Sequence, residues 1–190
     1  MMISSLPPHT CYVEVWPFYQ RILHKPRSRV EVCNDQGEIA RLFRLLRSEP
    51  EALLTALTSV EGGETSPEVS CYHRLMVAWY LNQQIGSVPT TIDALKATLL
   101  APYQRLRTVL FEALDWRTCL ERYNDPRSLL ILEPPWTRTE RDEWAALQLR
   151  LRCSHMQWWL VIPRDITALV HFPGSPIAYE GNTICLASCL

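Results

Sequence analysis

Apolar and polar positions divide the chain into short segments of two kinds. Short runs of β-type residues mark residues 11–16 (CYVEVW) and 30–33 (VEVC) as strands, with a short helical or irregular stretch over 17–24 between them. Ile39, Leu42, Phe43 and Leu46 recur at helical spacing and predict a helix over 38–47, with Asp35 and Glu38 set like a capping box at its start. A second helix is expected over about 50–60. The run EGGETSP then reads as a loop, 69–84 as an aromatic-rich helix, 86–89 as a turn, and 91–100 as a further helix.

The strand-helix alternation resumes after this helical middle. Residues 108–111 read as a strand and 116–123 as a short helix capped by Asp115. Residues 128–132 (SLLIL) are almost wholly apolar, as a strand buried on both faces must be. That strand ends in Glu133-Pro134-Pro135-Trp136. A helix over 139–152, a buried strand over 157–162 (QWWLVI) and two short strands near 168–172 and 182–187 complete the pattern. Strands joined by helical crossovers predict an α/β layer fold. The expectation is one Rossmann-like domain over 1–190, with a central, mostly parallel sheet flanked by helices and a reduced helical insert at about 61–100.

Composition narrows the partners. The chain has 190 residues, 47% of them hydrophobic, enough for one well-formed core. With 19 basic and 20 acidic residues the formal charge is −1, a poor signature for a strong nucleic-acid binder and for an acidic DNA mimic alike. One local basic run, Arg21, Lys25, Arg27 and Arg29 with no acid among them, can face DNA phosphates or form a solvated edge. Seven cysteines at 11, 33, 71, 119, 153, 185 and 189 form no C-x-x-C, and no metal site is expected. The N-terminus carries no apolar signal segment and the longest apolar run, 75–81, is too short to cross a bilayer, so a cytoplasmic protein without membrane contact is expected.

In such sheets ligands bind beyond the carboxyl ends of the strands. Glu133-Pro134-Pro135-Trp136 is the most informative strand end. Two prolines stiffen the backbone and remove two N–H donors, a carboxylate before them can accept from an amino group, and an aromatic after them can stack on a base. The tetrapeptide resembles the Asp-Pro-Pro-Tyr motif of DNA adenine-N6 methyltransferases. The segments YVEVWPFYQRILHKPRSRVEVCNDQGEIARLFRLLRSEPEAL and RLRTVLFEALDWRTCLERYNDPRSLLILEPPW resemble the D12 class of that family in motif order and spacing, over roughly 12–60 and 100–165.

The resemblance implies a Rossmann-like methyltransferase fold and a set of roles. Tyr12, Glu14 and Phe18 would lie in the S-adenosylmethionine loop region, and Asp35 would hold the cofactor ribose. Asp115 and Trp116 would border its adenine. Glu133, Pro134, Pro135 and Trp136 would form the catalytic tetrapeptide that holds the adenine amino group, with no metal required. More locally, Asp35 and Asp115 read as helix caps, Glu14 as a strand-end carboxylate, Pro134-Pro135 as a rigid turn, and Trp16, Trp136, Trp158 and Trp159 as core or groove aromatics.

The departures from the family shape the functional expectation. Its first strand runs into a glycine turn, where backbone closely approaches the cofactor. Here the first glycine of the chain is Gly37, and Trp16-Pro17-Phe18-Tyr19 stands in that place. Glu133 carries one methylene more than the family's acid, displacing the carboxylate by roughly 1.5 Å. The expectation is a degenerate homologue, with no cofactor, that no longer transfers methyl groups and binds double-stranded DNA or a protein partner in a regulatory or anti-restriction role. The alternatives are an active, divergent S-adenosylmethionine-dependent methyltransferase and a pure protein-interaction module on the same fold.

Overall fold

A computed structural model describes residues 6–16, 20–35, 37, 44–45, 47–49, 92–137, 139–163, 165–166, 172–180 and 183–188. Its elements, in chain order, are β1 (Cys11–Val15), α1 (Gln20–His24), β2 (Val30–Asn34), α2 (Ile92–Leu106), β3 (Leu110–Glu112), α3 (Trp116–Arg122), β4 (Ser128–Leu132), α4 (Arg141–Arg152), β5 (Gln157–Pro163), β6 (Gly174–Glu180) and β7 (Thr183–Ser188). The chain forms two compact units, one of Met1–Asp35 with Glu112–Leu190, the other of Gln36–Phe111. The expected helices over 50–60 and 69–84, the turn at 86–89 and most of the 61–100 insert lie outside the described residues. Of the helix expected over 38–47, Arg44, Leu45 and Arg47 are described and helical.

The protein is α/β, with a seven-stranded mixed sheet in the order β3-β2-β1-β4-β5-β7-β6. β1 pairs in parallel with β2 and β4, and β4 in parallel with β5. β7 is antiparallel to both β5 and β6. The order is the doubly wound 3-2-1-4-5-6 with one reversed strand slotted in before the last. The strand order reverses direction between β1 and β4, and in open α/β sheets ligands bind beyond the carboxyl ends of the strands at such a point.

Register explains which side chains meet. Val13 stands beside Val32 and Leu130, while Tyr12 stands beside Glu31 and Leu129. Val13, Val15, Val32, Leu130, Leu132, Trp158, Leu160 and Ile162 therefore share one face. There they pack with Trp116, Cys119 and Leu120 of α3 and Trp144, Leu147 and Leu151 of α4. The apolar residues of α4 recur three and four apart, so one stripe turns to the sheet while Arg150 and Arg152 stay exposed. Each fully buried large apolar side chain here contributes about 1.5–3 kcal/mol. All five residues of β4 are buried, as its apolar run requires.

Two expectations shift. The strand expected near 168–172 is not at Phe172, which is buried outside any element; residues 168–171 lie outside the described residues, and the strand begins at Gly174. β6 carries Pro176 with a break in register at Pro176/Ala178, which an edge strand tolerates because its outer side needs no N–H donor. In the second unit, α2 runs past the expected end at 100 to Leu106 with Pro102 inside it. There Val109 N–H closes onto Leu106 O at 3.0 Å and the Arg47 guanidinium donates to Val109 O at 2.6 Å. Among the described residues, no helix is long and apolar enough to cross a membrane.

Candidate functional site

The ends of β1, β2 and β4 and the start of α3 meet where the strand order reverses. Backbone bonds draw these ends together. Glu133 N–H donates to Val15 O at 3.2 Å and Trp16 N–H to Asn34 O at 3.2 Å. The Asn34 side chain clasps the loop before α3, donating to Leu114 O at 3.1 Å and accepting from Leu114 N–H at 2.8 Å. Asp115 then caps α3 by accepting from Arg117 N–H at 2.9 Å. These contacts bring Trp16, Asp35, Asp115, Trp116 and the Glu133-Pro134-Pro135-Trp136 turn to the carboxyl end of the central strands.

Trp16 has φ of 56° and is the one non-glycine residue at positive φ among the described residues. A side chain in that conformation costs about 1–2 kcal/mol, which glycine avoids. Its indole packs against Trp136 at 4.9 Å between ring centres and against Trp116 at 6.1 Å. Trp136 in turn meets Trp116 at 5.5 Å and Trp144 at 5.2 Å, both edge to face, and Trp144 meets Phe172 at 6.1 Å. Each such pair adds about 0.5–1.5 kcal/mol beyond its buried area. The strained backbone of Trp16 is thus held by an aromatic cluster beyond the carboxyl end of β1. Two indole N–H groups are also committed: Trp116 Nε1 to Glu143 at 3.0 Å and Trp144 Nε1 to Thr137 O at 2.9 Å.

The Pro-Pro turn keeps Glu133 and Pro134 buried and leaves Pro135 exposed and Trp136 half-buried. The Glu133 carboxylate is ion-paired with the guanidinium of Arg21 from α1. Arg21 and Lys25 of the basic run, expected to face DNA phosphates or to form a solvated edge, instead pair with carboxylates of the fold. The Lys25 ammonium is buried over the Tyr12 ring, 4.3 Å from its centre, and bonds Glu31 at 2.7 Å. Arg27 and Arg29 are exposed.

The residues matched to cofactor binding are placed as follows. Tyr12 and Glu14 are buried on the other face of β1, with Tyr12 Oη donating to Glu14 Oε1 at 2.7 Å. Burial pushes the Glu14 carboxyl above its ordinary pKa and pushes the Tyr12 phenol well above its own. Trp116 is buried, Asp35 half-buried with its N–H bonded to Glu112 O, and Asp115 exposed in its capping role. Phe18 lies outside the described residues. Among those residues, no group of three or more metal-ligating side chains comes together.

The sequence did not point to Arg21 as the partner of Glu133, to Asn34 as the clasp, or to Glu143 as the acceptor for Trp116. Asn34 and Leu114 are 80 positions apart, and no local pattern joins them. No protein-family model matches the chain, and no curated protein matches it.

Proposed function

We propose that this chain is a degenerate homologue of the D12 class of DNA adenine-N6 methyltransferases that has lost methyl transfer and works by binding DNA or a protein partner. The observation that carries the reading is Trp16. It stands where the resemblance has a glycine turn, holds a backbone conformation suited to glycine, and fills the space beyond β1 with an indole packed on Trp136 and Trp116. The acid of the catalytic tetrapeptide, Glu133, is engaged by Arg21 instead of being open to an incoming amino group. The α/β sheet, parallel from β2 through β1 and β4 to β5, is consistent with the fold part of the reading. The exposed Arg27 and Arg29 support DNA as one partner.

The test is S-adenosylmethionine titration by calorimetry, followed by methyl transfer from labelled cofactor to adenine-containing DNA with Glu133→Ala as control. We expect no binding heat and no transfer above the control. Micromolar binding with transfer abolished in Glu133→Ala would establish the alternative, an active divergent methyltransferase. A DNA partner would show as affinity that falls steeply with salt.

A further inference from the structure

The amino ends of β1 and β2 carry a second polar arrangement, which the methyltransferase reading does not use. His9, just ahead of β1, places Nδ1 2.7 Å from Pro7 O and Nε2 2.9 Å from Ser28 Oγ. Ser28, just ahead of β2, also lies 2.9 Å from Lys25 Nζ. The Lys25 ammonium reaches Pro26 O at 2.6 Å and Glu31 Oε1 at 2.7 Å, and Glu31 Oε1 also accepts from Ser28 N–H at 2.9 Å. His9 and Ser28 are both half-buried, while Lys25 and Glu31 are buried beneath them.

The proton directions follow from the partners. A backbone carbonyl only accepts, so His9 Nδ1 carries the hydrogen, and a neutral imidazole then offers its lone pair at Nε2. An ammonium only donates, so Ser28 Oγ accepts from Lys25 and its single proton points to His9 Nε2. The ladder runs one way, from Lys25 through Ser28 and His9 to Pro7 O. A hydroxyl next to a base, with that base oriented by a third group, is the arrangement of an activated nucleophile.

We propose that Ser28 is a nucleophile with His9 as its general base, and that this site hydrolyses small carboxylic esters. Ser28 Oγ attacks the ester carbonyl as its proton moves to His9 Nε2. The C–O bond to the alcohol breaks, and His9 returns the proton to the departing alkoxide. Water, deprotonated by His9, then cleaves the acyl-serine to release the acid and regenerate the hydroxyl. Lys25, fixed by Glu31 and Pro26 O, stabilises negative charge on Oγ as the proton leaves. The site lies at the strand ends opposite Trp16 and Glu133, so it stands or falls independently of the methyltransferase reading.

The full chain would be treated with diisopropyl fluorophosphate, in which Oγ–P forms, P–F breaks and fluoride leaves, and the adduct located by peptide mass spectrometry. Release of 4-nitrophenolate from 4-nitrophenyl acetate would be followed in parallel. The expected result is an adduct on Ser28, ester turnover lost in Ser28→Ala, and labelling about 100-fold slower in His9→Gln. A wild-type chain without an adduct on Ser28 overturns the proposal. So does turnover that is unchanged in Ser28→Ala, or labelling that is as fast in His9→Gln.

Discussion

The two faces of the sheet use opposite chemistry on the same strands. Val13, Val15, Val32, Leu130 and Leu132 turn to a face of packed apolar and aromatic side chains. Their immediate neighbours Tyr12, Glu14 and Glu31 turn to a face where buried carboxylates meet Lys25 and the Tyr12 hydroxyl. The first face gains free energy from every carbon it buries. The second holds only while its charges stay paired, because desolvation offsets most of the attraction between them. One strand can serve both because side chains alternate along it.

The largest effect should come from cutting the apolar face at Trp144, which is fully buried and contacts Trp136 and Phe172. Trp144→Ala is expected to lower unfolding free energy by about 3–5 kcal/mol in urea titration. A loss under about 1 kcal/mol would mean the cluster is not a packed core. Glu31→Gln removes the carboxylate paired with the buried Lys25 ammonium and should cost about 3–5 kcal/mol, whereas Lys25→Met with Glu31→Leu should cost less because it buries no charge. If the double variant loses as much as the single one, the ionic face is stabilising in its own right and the contrast fails.

A smaller effect is expected where β6 meets β5 and β7. A Cβ on Gly174 would sit 2.5 Å from Ala187 O and 2.6 Å from the Trp158 ring. Gly174→Ala should cost about 1–3 kcal/mol by overpacking, read in the same titration.

The smallest effect concerns pH. Burial raises the folded-state pKa of Glu14 above its ordinary 4.5, so the folded protein holds that proton more tightly than the unfolded chain. The resulting stability is fully present below pH 4.5 and is lost as pH rises through the folded-state value. Wild type should therefore lose stability relative to Glu14→Gln as pH climbs from about 4.5 toward neutrality. A constant difference across that range would mean that Glu14 is ionised as easily in the folded state as in the unfolded one.

Much of the fold was legible because its signals are local. SLLIL announces a strand buried on both faces, and CYVEV and VEVC announce strands with two different faces. β6 was not legible because a segment opening with glycine and carrying a proline reads poorly as a strand, and its edge position is what makes that sequence acceptable. The strand ends that meet where the strand order reverses were also legible. What they do to one another was not. Arg21 reads as a surface cation until the fold sets it against Glu133, and His9 and Ser28 lie 19 positions apart with no spacing that suggests a pair. Long-range pairing of this kind depends on register and crossover, which no stretch of sequence encodes by itself.

The tryptophan cluster also makes the protein its own optical reporter. Trp16, Trp116, Trp136 and Trp144 form a chain of rings with neighbouring centres 4.9 to 6.1 Å apart. At such separations indole excited states mix, and fixed, tilted rings give a paired positive and negative band in far-ultraviolet circular dichroism. Excitation energy also passes among them faster than it is emitted. Any event that moved Trp16 away from Trp116 and Trp136 would remove its share of that couplet and shift the emission colour, with no label attached to the protein.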